Sequence, residues 1–157
     1  MGGRCQDAAV IPHTLLVAAT PFGGALSAER VSAEIARGLG GGGSAYDIEE
    51  CPLEAAGAIG QRPQGLGPEL TRRVRAARAL ILAGPDLCGE PPPPATLFEL
   101  ATEARQHGVP AYAVSAVADP DLFQARILDL QAVLRATEAG ALVRAGHALC
   151  ELLQPGS

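Results

Sequence analysis

The stretch Ala79-Leu80-Ile81-Leu82-Ala83 places five apolar residues in succession. A strand with one face in water alternates apolar and polar residues, whereas a strand buried on both faces does not. The run therefore predicts a central strand of a parallel sheet, because helices cover both faces of such sheets. A second apolar run, 14–19, predicts another strand, which ends in the turn at Thr20-Pro21.

Helical patterns alternate with the strand patterns along the chain. Ser27 is placed to cap a helix in which Val31, Ile35 and Leu39 recur every four residues, and Gly38 with the run 40–43 is expected to end it. Further strands are predicted at about 45–53, 109–117 and 131–136. Further helices are predicted to begin at Pro68, at the capping box Thr96–Glu99 and at Thr137. A short helical turn is predicted to end at Ile127.

Five strand–helix repeats with right-handed crossovers predict an α/β protein. The expected architecture is a three-layer α/β/α sandwich around a doubly wound, five-stranded parallel sheet of the Rossmann or flavodoxin-like kind. Residues 1–12 are expected to form a flexible arm, and residues 13–157 a single domain.

The composition excludes several functions. The chain has 157 residues and a net charge of −5, and all 12 basic residues are arginine. Without lysine, neither Schiff-base catalysis nor a P-loop lysine is available. The negative charge argues against nucleic acid and anionic membranes as partners, and no apolar run is long enough for a signal peptide or a membrane span. We therefore expect a cytoplasmic protein.

Cysteine and histidine are too scattered for a metal site. The four cysteines are far apart in the sequence, with no CxxC pair, so we expect no metal and no cofactor. The histidines His13, His107 and His147 lie away from the carboxyl ends of the predicted strands, which argues against a histidine-based triad. Four arginines between 72 and 78 are expected to form a solvated helix face.

The loop that follows the third strand contains the candidate catalytic residues. In a doubly wound sheet, ligands bind beyond the carboxyl ends of the strands. Asp86 and Glu90 are carboxylates in such a loop and are candidates for a general acid or base. Cys88 is a candidate polar neighbour or nucleophile. The alternative is a solvated loop in which Asp86 caps a turn.

The turn after the first strand is the candidate binding site for an anion. Thr20 and Phe22-Gly23-Gly24 lead to the start of a helix, where backbone N–H groups can hold a carboxylate or a phosphate. Ser27 and Glu54 are further candidate ligand contacts, and Cys51 adjoins the same region. The alternatives are that the glycines only form the turn and that Ser27 only caps the helix.

The segment 16–28, LVAATPFGGALSA, followed by Val31, Ile35 and Gly38, resembles the opening of the type I glycerate kinases. Residues 51–53, CPL, stand where that family has a Pro-Leu-Ala-Asp-Gly-Gly-Glu segment, and 79–84 and 103–110 resemble its C-terminal part. The resemblance implies a glycerate-kinase-like scaffold and an ancestral ATP-dependent phosphorylation of glycerate.

The residues that carry out that reaction in the family are replaced in this chain. Thr20 stands in place of the family's acidic residue and Gly23 in place of its lysine, while Ala55 and Ala58 replace an Asp and a Glu. The third motif is replaced by Gly-Pro-Asp-Leu-Cys-Gly-Glu over 84–90. The chain is also less than half as long as expected for the family, so we expect the second domain to be missing. Phosphoryl transfer needs such charged groups, and the resemblance therefore implies a domain without kinase activity.

Three hypotheses about function stay open. In the first, the domain binds or transforms a small organic acid or a related metabolite of specialised metabolism, expected to be anionic, with non-redox acid–base chemistry of the lyase, isomerase or cyclase type. In the second, it is a noncatalytic binding or interaction protein. In the third, a partner chain completes a residual glycerate kinase. Loss of a second domain would expose an apolar patch, so we also expect a homo-oligomer.

Overall fold

The computed structural model describes residues 14–22, 26–40, 46–53, 67–84, 95–116 and 129–153. The elements in this part are β1 (Thr14–Ala19), α1 (Ala28–Gly40), β2 (Asp47–Pro52), α2 (Pro68–Ala76), β3 (Ala79–Gly84), α3 (Ala95–Gln106), β4 (Ala111–Ser115), β5 (Leu130–Arg135) and α4 (Ala139–Leu153). The arm at 1–12 and the helical turn to Ile127 lie outside the described residues.

The sheet has the strand order β2-β1-β3-β4-β5, and every neighbouring pair is parallel. All six residues of β3 are buried, as the apolar run predicts. The strands β2 and β5 form the two edges, and their residues are more exposed than those of β3. The predicted five-stranded, parallel, flavodoxin-like α/β sheet is confirmed.

Alternating residues of the central strands supply two separate cores. Leu15 and Val17 pack on the side that α1 and α4 cover. Leu16 and Ala18 pack on the opposite side, which α2 and α3 cover. Because successive side chains of a strand point to opposite faces, two apolar layers of this kind require successive apolar residues, as at 15–19 in β1 and 79–83 in β3.

The helices α1 and α4 cross with their backbones in contact at two glycines. A Cβ atom on Gly38 would lie 2.0 Å from the carbonyl oxygen of Val143, and one on Gly146 would lie 2.3 Å from that of Ile35. The helix α1 ends at Gly40, the first glycine of the predicted run, but Gly38 lies within the helix and does not end it. The missing Cβ is needed for the approach of α4, and His147 adds a hydrogen bond of 3.1 Å from its Nδ1 to the Gly38 carbonyl.

Side-chain and backbone caps define the helix ends. The Ser27 Oγ accepts the Arg30 N–H at 3.2 Å, which confirms the predicted cap of α1. Gly108, with φ of 69°, follows the end of α3, where the Val109 N–H donates to the Ala104 carbonyl at 2.8 Å. The residue before α4 is Glu138, whose carbonyl accepts the Leu142 N–H, so the predicted cap at Thr137 is one residue too early.

A pair of glycine-to-alanine changes in α4 tests the helix crossing. We expect Gly146→Ala to lower the free energy of unfolding by about 3 kcal/mol, because its Cβ overlaps backbone atoms of α1. Gly140→Ala, at an exposed position of the same helix, is expected to raise it by about 0.5 kcal/mol through helix propensity. Urea unfolding of both variants provides the measurement. Equal effects of the two changes would contradict the close contact.

Candidate functional site

The strand order reverses direction between β1 and β3. The chain leaves β1 for α1 on one face of the sheet, and it leaves β3 for α3 on the other face. In open α/β sheets the ligand crevice lies at such a reversal, beyond the carboxyl ends of the strands. The structure describes Thr20 after β1 and Gly84 at the end of β3 at this point.

Three small residues lie side by side along the carboxyl edge of the sheet. The register pairs Ala19 with Ala83, so Thr20 lies level with Gly84, and Gly84 pairs with Ser115 of β4. Neighbouring strands are about 4.8 Å apart. The edge thus has one hydroxyl residue on each side of a glycine, so the middle of the row has no side chain.

Thr20 ties β1 to β3 at this edge. Its backbone N–H donates to the Ala83 carbonyl at 2.9 Å, and its Oγ1 hydroxyl donates to the same oxygen at 3.3 Å. The residue is only 3% exposed. For a ligand, Thr20 therefore retains only the acceptor capacity of its hydroxyl oxygen, and its first role is to hold the two strand ends together.

The turn between β1 and α1 is closed by a backbone bridge. The Phe22 N–H donates to the Leu26 carbonyl at 2.9 Å, and the Phe22 side chain lies in the core beneath α1 and α4. This burial anchors the turn, while the predicted ligand contact of Phe22 stays a prediction. Ser27 is exposed at the start of α1. Gly23 and Gly24 lie outside the described residues.

The predicted catalytic residues Asp86, Cys88 and Glu90 lie outside the described residues, and so does Glu54. The structure does place the start of their loop, because β3 ends at Gly84 in the middle of the carboxyl edge. Their assignment stays a prediction.

Cys51 is part of a hydrophobic core. Its side chain belongs to the core beneath α2 and α3, and the Arg73 Nη1 donates to its Sγ at 3.9 Å. Burial raises the pKa of the Cys51 thiol, and the neighbouring Arg73 guanidinium opposes that rise. A buried thiol with a raised pKa is a weak nucleophile at neutral pH, so Cys51 is a packing residue.

The remaining polar residues that the sequence singles out form structural contacts. The His107 Nδ1 lies 3.0 Å from the Glu103 carbonyl oxygen at the end of α3. Three of the arginines of the basic stretch form ion pairs: Arg72 with Glu69, Arg73 with Glu49 and Arg75 with Glu103. Within the described ranges, no group of three His, Cys, Asp or Glu residues could hold a metal ion. In the same part of the chain, no helix combines the length and apolarity needed to cross a membrane.

The sequence predicts a carboxyl-edge loop that begins at Ser115, but sequence reasoning did not single out Ser115 as a candidate site residue. Ser115 is 2% exposed, and its carbonyl accepts the Ala136 N–H at 2.8 Å. Ser115 directly follows the apolar residues of β4, just as Thr20 directly follows those of β1. This position was the sequence signal that could have identified Ser115 as a candidate. The sequence alone does not show that β3, with Gly84, lies between these two strands.

Comparison with known proteins supports the fold alone. No protein-family model and no curated protein matches this sequence. A de novo designed Rossmann 2x3 fold protein matches with 12% identity and a TM-score of 0.57, over 92% of this chain and 93% of that protein. A receiver domain of a response regulator from Rhodospirillum rubrum matches with 15% identity and a TM-score of 0.49, over 88% and 92% of the two chains. A flavodoxin-like domain from Synechococcus matches with 20% identity and a TM-score of 0.46, over 89% and 97%.

A substitution at Thr20 tests the link between the strand ends. We expect Thr20→Val to lower the free energy of unfolding by about 1 kcal/mol, because it removes the hydroxyl bond to Ala83 and keeps the backbone bond. Thr20→Ser keeps the donor and serves as the matched control, with a smaller loss from the missing methyl group. Thermal or urea unfolding of both variants gives the comparison. A valine variant as stable as the native chain would show that this hydroxyl bond contributes nothing.

Proposed function

We propose that this chain binds a small anionic metabolite, a carboxylate or a phosphate ester, in the crevice between the connections that follow β1 and β3. The observation that carries the proposal is the reversal of strand order at this point, since open α/β sheets bind their ligands there. The resemblance to the type I glycerate kinases favours an organic acid of the glycerate class.

The start of α1 supplies the attraction for an anion. This helix has 13 residues, and its first N–H groups have no acceptor within the helix. Ser27 satisfies the N–H of Arg30, which leaves the preceding amides for a ligand. The aligned peptide dipoles add a partial positive charge at the same end. A chain of net charge −5 without lysine can in this way bind an anion through backbone groups.

We further propose that the chain converts the bound metabolite chemically. Asp86 and Glu90 would provide acid–base catalysis, with Cys88 as a polar neighbour, and no phosphoryl group would be transferred. The replacements of the kinase residues at Thr20, Gly23, Ala55 and Ala58 support the absence of kinase activity, because phosphoryl transfer needs fixed cations and metal-holding carboxylates.

Ligand-induced stabilisation distinguishes the hypotheses. The chain is heated with D-glycerate, 2-phosphoglycerate, inorganic phosphate, and ATP with Mg²⁺. A ligand at a hundred times its dissociation constant stabilises the folded state by about 2.7 kcal/mol. We expect a rise in melting temperature with an organic acid or its phosphate ester and none with ATP and Mg²⁺. Stabilisation by ATP with phosphorylation of glycerate would contradict the proposal. No response to any metabolite would favour a protein-binding role.

A pair of Ser27 variants locates the anion. Asn and Asp cap helices about equally well, but only Asp adds a negative charge. We expect Ser27→Asn to bind the stabilising metabolite within about twofold of the native affinity, and Ser27→Asp to bind it about tenfold more weakly through repulsion at short range. Calorimetric titration gives both affinities, and melting temperatures verify that the cap is retained. Equal binding by the two variants would place the anion elsewhere.

Variants in the loop after β3 test catalysis separately from binding. If the bound metabolite is turned over, Asp86→Asn or Glu90→Gln should lower the rate about a hundredfold or more, the range that general acid–base groups contribute. The metabolite should still stabilise both variants. Unchanged turnover in both would exclude these carboxylates as the acid and base.

A further inference from the structure

The two edges of the sheet have opposite chemical character. The edge strand β2, with the sequence DIEECP, carries three carboxylates. The edge strand β5, with the sequence LQAVLR, carries a single charge at Arg135. Unpaired N–H and C=O groups at a sheet edge attract another strand, and charged side chains discourage that pairing. The charges of β2 therefore discourage pairing with a second copy of the chain, whereas the described residues of β5 carry no such row of charges.

The apolar residues of β5 are only partly covered. Leu130 and Val133 pack against the core beneath α2 and α3, and Leu134 packs against the core beneath α1 and α4. All three keep part of their surface exposed, unlike the fully buried residues of β3. An added strand would cover apolar surface on both faces of the sheet.

Exposed charges of opposite sign stand at the two ends of β5. Asp129 precedes the strand and Arg135 is its last residue, and both are exposed. Neither forms an ion pair with any residue in the described part of the chain. Within one chain the two are separated by about 20 Å of extended strand, so they cannot meet. A second β5 in the antiparallel direction would bring each of them beside its opposite.

A cavity of about 360 Å³ opens where the incoming arginine would lie. It is lined by Ala101, Arg105, Gly108, Val109, Pro110, Ala111, Asp129 and Gln131. The cavity lies on the α3 side of the sheet. Arg135 shares that side with Val133, because residues two apart in a strand point to the same face. A two-fold axis perpendicular to the sheet preserves this side in both copies.

We infer that β5 pairs antiparallel with β5 of a second copy of this chain, giving a two-fold symmetric dimer with a continuous sheet. The interface is isologous, as in most homodimers. Each Arg135 lies beside the partner's Asp129, so the symmetry forms the ion pair twice. This inference is independent of the proposed ligand and of its site.

A double-mutant cycle tests the pairing. Sedimentation equilibrium of the native chain should show a concentration-dependent species of twice 16.0 kDa. Arg135→Gln and Asp129→Asn should each raise the dimer dissociation constant about fivefold, because two exposed ion pairs are lost. Asn also tolerates the φ of 54° at position 129. The double variant should likewise be weakened about fivefold, because both changes remove the same two pairs.

The distance between Asp129 and Arg135 within one chain allows the double-mutant cycle to identify a contact between two copies. Two residues so far apart do not couple through a single copy, so non-additive effects must arise across the interface. Arg78→Gln removes the same charge from an exposed position at the start of β3 and should leave the dissociation constant unchanged. A monomer at every concentration, or a dimer whose two single effects add in the double variant, would overturn the inference.

Hydrogen exchange compares the two edges directly. Amide exchange is measured above and below the dimer dissociation constant, in peptides that cover β5 and β2. We expect slower exchange at high concentration in β5 alone, because its outward N–H groups acquire acceptors in the partner strand. Protection of β2, or of neither edge, would overturn the inference even if the chain forms a dimer.

Discussion

The backbones of α1 and α4 touch at Gly38 and Gly146, and the position of the first helix depends on that contact. The contact allows both helices to cover the same face of the central strands. A hydrogen bond of 2.7 Å from the Tyr46 hydroxyl to the Leu153 carbonyl holds the far end of α4 to the start of β2. The contact lies in the last turns of α1, and the first turn lies at the carboxyl edge because the chain enters the helix from β1. The anion-binding capacity that we propose depends on this position of the helix start.

Polar contacts hold α1 and α2 to the acidic edge strand β2, and one ion pair holds α2 to α3. The Ser32 hydroxyl of α1 donates to the Glu50 carboxylate at 3.3 Å on one face of β2, and Arg73 of α2 pairs with Glu49 on the other face. Arg75 pairs with Glu103, which joins α2 to α3. Among the described residues, Arg73 and Arg75 are therefore occupied in contacts between elements.

The similarity to a designed protein concerns the fold and not an activity. A chain with 12% identity forms a similar fold, so the sheet order by itself implies no chemistry. The function that we propose depends on the residues at the carboxyl edge. In this chain those residues are Thr20, Gly84 and Ser115, together with the loops on either side of them.

Local signals in the sequence determined the type and the approximate bounds of the elements. The uninterrupted apolar runs of β1 and β3, the cap at Ser27 and the glycine at 108 act through neighbours in the chain, so a single sequence reveals them. The alternation of strands and helices also sufficed for a parallel, doubly wound sheet. Only the tertiary structure decided that Gly38 contacts α4, that Cys51 faces α2 and that the Thr20 hydroxyl is engaged by Ala83. Each of these depends on a contact between segments distant in sequence, and such contacts arise from the packing of the whole chain.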